Sequence, residues 1–305
     1  MIDIRYHSVS LVAVFMMLGV GIIIGLNLAS PAQKQQTKAL KSLQERVEGA
    51  VQDGQEAKRR LLHIEHAVDI LRARVVPGKL ANKRVEIIVC GDYPAAAHSA
   101  ATALSDAGAI SVAQIVITDK FVGLSSDDRA DLYGRLGSQP PSAPPASNIS
   151  QAELMNPLMS ALHDGSPPGS ASEEEVSTLE NGRYIDVTGE INQPCSLFVI
   201  IGGRNDDGNP TADNVAETET ALIEGLLHTG YDLSVVGCEP SDALVSSIPN
   251  YQREQKIATV DCIDQPLGQL DLPFALRGGV DKADYGLKST AGRELPASLE
   301  EQNHP

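Results

Sequence analysis

The chain has 305 residues, with 24 Lys+Arg against 40 Asp+Glu, a formal net charge of −16 and no Trp. The charge is divided: residues 1–84 carry 13 basic against 7 acidic side chains, and residues 85–305 carry 11 against 33. So acidic a body repels phosphate, and with 4% aromatic residues it offers few faces for stacking bases, which excludes nucleic acid as a partner.

A tail of residues 1–8 precedes an apolar segment, "SVSLVAVFMMLGVGIIIGLNL". No Asp, Glu, Lys or Arg stands between Arg5 and Lys34. A bilayer needs about 20 apolar residues in a helix, whereas the apolar core of a signal peptide is about 7–15. Leu28 stands where a peptidase cutting after Ser30 would want a small residue, and Pro31 would hinder that cut. The segment is apolar on every face, unlike a helix packed on a soluble core. It is therefore read as an uncleaved transmembrane helix over 9–28, making the membrane a partner. Gly21 and Gly25 form a G-x-x-x-G, which lets two helix backbones approach in lipid.

Ser30-Pro31-Ala32-Gln33 has the chemistry of a helix start: a capping Ser, Pro at the first position and Gln completing a capping box. The helix is expected to restart or kink there. Beyond it Leu40, Leu43, Val47, Ala50, Gly54, Ala57, Leu61, Ile64, Val68, Leu71 and Val75 recur at alternating spacings of three and four. That is the coiled-coil period, so residues 31–76 are predicted to be a stalk. With Leu40 at a, Asp53 at g meets Lys58 at e of a parallel partner, and Arg60 meets Glu65. Both pairs attract, which favours a homodimer over a helix packed only on its own domain. Leu40, Leu43, Val47, Leu61, Ile64, Val68 and Leu71 are the candidate seam, with Gly21 and Gly25 joining it in the membrane. Pro77-Gly78 ends the helix, which at 1.5 Å per residue would extend roughly 70 Å from Pro31.

Residues 83–295 are predicted to form an α/β domain with a mostly parallel, Rossmann-like sheet. "VEIIVC", "AISVAQIVI", "LFVIIGG" and "YDLSVVGC" are continuous apolar runs, as in strands covered on both faces. They bracket two βαβ units, with Gly108 and Gly230 closing the helices. A short helix and the strand "KIATVDCID" follow. Pro/Ser-rich loops at 138–150 and 164–172 flank a helix near 151–162 and read as mobile surface insertions. Residues 296–305 form a tail.

The candidate nucleotide loops, Cys90 to Pro94 and Gly202 to Gly208, match neither G-x-G-x-x-G nor a P-loop, and Asp92, Asp206 and Asp207 would repel phosphate. No G-x-S-x-G or H-E-x-x-H is present. No cofactor and no catalytic residue is assigned, and the chain is read as not an enzyme. Cys90, Cys195, Cys238 and Cys262 form no C-x-x-C and have no His at metal spacing, so they read as small buried apolar residues. Their even number leaves disulfides open. His63 and His66 sit on a solvated stalk face, and Met16 and Met17 read as apolar side chains in lipid. No metal ligand is assigned.

Four stretches carry a resemblance: "MIDIRYHSVSLVAVFMMLGVGIIIGL" leading into a coiled coil, "VEIIV" soon after the Pro-Gly break, "LFVIIGG", and "DYGLKSTAGRELPASL". Together they resemble the actinobacterial copper-transporter family of mycobacterial copper transport protein B (MctB), over almost the whole chain. The resemblance implies an envelope protein concerned with copper transport or homeostasis, labelled as outer-membrane. Copper enters only through this resemblance. SteB-like members imply a cell-division role in which the coiled coil engages a septal or envelope partner. Beside copper transport stand two other readings: a dimeric scaffold for such partners without transport, and an enzyme built on the sheet. The residues themselves show one spanning helix and no run of alternating barrel strands. Arg5 on one side and Lys34, Lys38 and Lys41 on the other would put the body in the cytoplasm by the positive-inside rule. Family resemblance points outward, and long C-terminal domains translocate largely regardless of charge. The expectation is a single-pass cell-membrane protein with an extracytoplasmic stalk and body.

Overall fold

The computed structural model describes residues 4–136, 149–205, 212–227, 232–253 and 257–300, with no account of side chains at 4–7, 26–37, 39, 111, 212, 213 and 300. The chain divides into two units, residues 1–64 and 65–305. The tail beyond residue 300, most of the 138–150 loop, Asp206, Asp207, Gly208 and Gly230 lie outside the described residues.

The first unit is the greater part of one helix, α1 (Ile4–Val75), 72 residues long. It does not restart at Ser30: the helix runs unbroken across Ser30 to Gln33. A Pro inside a helix removes one backbone donor, and here regular turns continue on both sides. Ser8–Gly25 is long and apolar enough to cross a membrane, with mean hydropathy 2.4 and none of its residues buried.

The second unit begins with the last turns of α1. Val68 and Val75 pack on the apolar core of this unit, and Arg72 donates to Gln269 Oε1 at 2.6 Å and pairs with Asp106 at 3.4 Å. Pro77 follows the helix and Gly78 turns with φ +80°. The sheet has seven strands: β1 (Arg84–Val89), β2 (Ser111–Ile117), β3 (Ile185–Thr188), β4 (Leu197–Ile201), β5 (Ser234–Cys238), β6 (Ala258–Val260) and β7 (Asp284–Tyr285). Their order is β3-β2-β1-β4-β5-β6-β7, and every pairing is parallel except β2 with β3. Parallel neighbours need crossover connections. Two crossovers are the expected ones, through α2 (Pro94–Asp106) and α7 (Ala212–Leu227). Gly108 takes φ +86° just past α2, the left-handed turn that glycine permits.

Alternation along the strands splits the core in two. Ile88, Ile115, Phe198 and Ile200 face one apolar cluster, and Val85, Ile87, Val199 and Ile201 face the other. Fully burying such a side chain contributes about 1.5–3 kcal/mol. The first cluster is covered by α5 (Gln151–Asp164), α7 and their neighbours. The second is covered by α2 and α9 (Pro266–Arg277). The remaining helices are short: α3 (Asp119–Val122), α4 (Ser126–Arg135), α6 (Ala171–Asn181), α8 (Ile248–Gln252) and α10 (Ala297–Glu300).

The segment 164–172 is not a loose insertion. A Cβ on Gly165 would stand 2.6 Å from the Gln193 backbone, and Ser166 N–H donates to Ile191 O at 2.8 Å. Ser170 caps α6 by accepting from Glu173 N–H at 3.1 Å, so the segment closes on a helix start.

Candidate functional site

The strand order reverses between β1 and β4. In open α/β sheets the crevice beyond the carboxyl ends of the strands at such a point is where ligands bind. Here the two loops leaving it press together. A Cβ on Gly91 would stand 2.2 Å from Gly203 O. Asp92 N–H donates to Gly203 O at 3.2 Å, and Asn205 N–H donates to Asp92 Oδ2 at 3.0 Å. Tyr93 closes the side, its hydroxyl donating to Arg204 O at 3.3 Å. Backbone therefore fills the space between the loops, and Asp92 precedes the N-terminus of α2, where a phosphate would otherwise be favoured.

Next to this contact, over the ends of β4 to β6, lies a group of buried carboxylates. Glu219 of α7 accepts from Ser247 Oγ at 2.7 Å and from the Tyr251 hydroxyl at 3.1 Å. Ser247 Oγ accepts in turn from Gly203 N–H at 2.9 Å. Burial pushes the Glu219 carboxyl up from 4.5 to about 7, against the two hydroxyl donors and the Arg204 guanidinium, which pull it down. Arg204 Nη1 is itself buried without a hydrogen-bond partner. Glu239, fully buried just after β5, accepts from Ser246 Oγ and Ser247 N–H at 2.7 Å each and pairs with Lys288 Nζ at 2.5 Å. Asp261, just after β6, accepts from Leu287 N–H at 2.7 Å and Lys288 N–H at 3.0 Å. The segment "YGLKSTA" is thus pinned across the strand ends by two acids.

Glu86 and Asp271 are buried carboxyls of another kind, with oxygens that have no hydrogen-bond partner. Glu86 on β1 is pushed up to about 8 by burial, and its Oε2 has no partner. Asp271 on α9 is raised by burial and then by Asp261, with neither oxygen hydrogen-bonded. In both, burial favours the neutral acid over the carboxylate.

The four cysteines are free and buried. Burial pushes the Cys195 thiol up to about 12 and raises Cys90, Cys238 and Cys262 as well. A thiol must lose its proton to bind a soft metal, so these four are poorly prepared as copper ligands. Among the described residues no group of three or more His, Cys, Asp or Glu is arranged to hold a metal ion.

The candidate seam residues lie along α1. Leu40, Leu43, Val47, Leu61 and Ile64 are 53–67% exposed, Leu71 is 39% exposed, and nothing lies within 4 Å of a Cβ built on Gly21 or Gly25. Val68 differs, packing on the core of the second unit. His63 and His66 are exposed on the same helix, as are Met16 and Met17. Glu219, Glu239 and Asp261 were not singled out from sequence. Their signal is an acid directly after an apolar strand, as in "VVGCE" and "ATVD", though Glu219 inside α7 leaves none.

A family model described as copper transport outer membrane protein, MctB, matches residues 1–296. No curated protein matches the chain.

Proposed function

Because the chain belongs to the MctB family of copper transport outer membrane proteins, we propose that it serves copper transport or homeostasis at the cell envelope. The family match over 296 residues carries this reading. We read the apolar helix Ser8–Gly25 as its single membrane anchor, the helix after it as a coiled-coil stalk, and the Rossmann-like body as extracytoplasmic. A mostly parallel sheet covered by helices is not a lipid-spanning architecture, which in bilayers is a helix or a closed barrel. The body would therefore act at the membrane rather than as its pore, and without catalysis.

Growth of a deletion strain in copper tests the proposal. The strain should be more copper-sensitive than its parent, and the full chain should restore tolerance. Unchanged growth would overturn it. Alkaline phosphatase fused after Pro305 should be active, and an inactive fusion would reverse the orientation.

The exposed apolar stripe from Leu40 to Ile64 favours a second reading, a dimeric scaffold for an envelope or septal protein. Its Asp53–Lys58 and Arg60–Glu65 pairs fit a parallel second copy. Capture of one envelope protein, independent of Cu(I) and lost when the stripe is broken, would favour the scaffold. Saturable Cu(I) binding by the body would favour direct handling of copper.

A further inference from the structure

A cavity of about 500 Å3 opens at the opposite end of the sheet, among the amino ends of β4, β5 and β6. Among the described residues Lys83, Arg277 and Lys282 line it, with Asp232 as the one acidic side chain. Residues 85–305 hold three times as many acids as bases, so this wall reverses the local balance. The end of α9 also lies here, and the bare carbonyls of a helix C-terminus would repel an anion. Three of the last four carbonyls of α9 are occupied. Leu276 O accepts from Ser234 Oγ at 2.7 Å, and Phe274 O and Ala275 O accept from Gly278 N–H at 3.3 and 3.1 Å. Several backbone acceptors at the mouth are thus paired internally.

We propose that this cavity binds a small phosphate-bearing molecule. The size falls within the range of small-molecule sites. Arg presents a planar fork that matches phosphate oxygens, and Lys adds point charges. Pyrophosphate and an alkyl phosphate are small enough for a cavity of this size, and both present the phosphate oxygens that Lys and Arg bind. The charge comes from two parts of the chain, Lys83 just before β1 and the pair Arg277 and Lys282 around the turn after α9, which meet only in the fold.

The test is isothermal titration of the full chain in nonionic detergent with inorganic pyrophosphate, glycerol 3-phosphate and short-chain phosphatidylglycerol. Saturable one-to-one binding of either soluble phosphate supports the proposal with a free small molecule as ligand. Binding of phosphatidylglycerol alone supports it with a lipid headgroup as the source. Lys83→Gln and Arg277→Gln should each weaken binding about tenfold, the scale of a lost charge-assisted hydrogen bond, whereas Arg135→Gln should not. Asp232→Asn should tighten it. All four positions are exposed, and an unchanged melting temperature confirms folding. Absence of saturable binding for all three ligands, or binding that the Lys83→Gln, Arg277→Gln double variant leaves unchanged, overturns the proposal.

Discussion

Tyr251 donates its hydroxyl to Glu219 Oε1 at 3.1 Å, across the position where a Cβ on Gly202 would stand 2.1 Å from that hydroxyl. The bond is possible because Gly202 and Gly237 carry no side chain: a Cβ on Gly237 would sit 2.3 Å from the Tyr251 ring. Two glycines at strand ends thereby admit an aromatic ring that ties α8 to α7.

Glu219 gives this tie a pH dependence. Its carboxyl is raised from 4.5 to about 7, so the folded chain holds the proton over a range where the unfolded chain has released it. The stabilisation from the neutral carboxyl is complete below about 4.5 and declines as pH rises to about 7. Glu219→Gln should remove this part of the pH dependence. The stability difference between variant and wild type should then shift in the variant's favour by up to about 3 kcal/mol between pH 4.5 and 7.5. Denaturant unfolding across that range checks it; a constant difference would refute it.

Lys288 is the cation facing the fully buried Glu239. Lys288→Met leaves that carboxylate uncompensated and should cost about 3–5 kcal/mol in unfolding free energy. Adding Glu239→Gln should recover part of the loss, because the remaining amide carries no charge. The double-mutant cycle reads the coupling directly.

Gly91→Ala forces a Cβ into the backbone of the facing loop and should destabilise the body by about 1–3 kcal/mol, the scale of overpacking. Gly134→Ala on α4, where nothing lies within 4 Å, should be neutral or stabilising by about 0.5–1 kcal/mol. Thermal melts of the two variants side by side test whether the loop contact is as close as it stands here.

Leu61→Asp should abolish self-association of the full chain in detergent, because a carboxylate would enter the centre of the seam. Light scattering should give a dimer for the wild type and a monomer for the variant. A monomeric wild type, or a dimer indifferent to the substitution, would remove the coiled-coil reading.

The strands that build the core were legible because each is a continuous apolar run, and the two helices between them because Gly108 and the alternating pattern mark their limits. The missed elements carry conflicting local chemistry. α9 begins at Pro266 and contains Pro273, so it reads as broken although its Leu and Phe side chains are buried. β3 has only four residues, two of them exposed, and pairs antiparallel at the edge, so it has no apolar run to announce it. The strand-end acids of the candidate site were invisible for another reason. Glu239 finds its cation Lys288 49 residues away and Asp261 finds Leu287 26 residues away, while Glu219 in α7 meets Ser247 and Tyr251 28 and 32 residues on, and an isolated acid reads as a solvated surface residue. Heptad periodicity revealed the stripe on α1, yet could not show that Val68 is shared with the body, since the same apolar side chain serves either surface.

The far edge of the sheet is sealed by the chain itself. β7 offers only two residues to the ladder, and Tyr285 is bridged on its outer side by Arg293. A strand from another molecule would find almost no open backbone there to extend the sheet. Copies of the chain at high local concentration therefore gain little by growing the sheet past β7, and a chain that bears a long exposed apolar helix is spared one further route to aggregation.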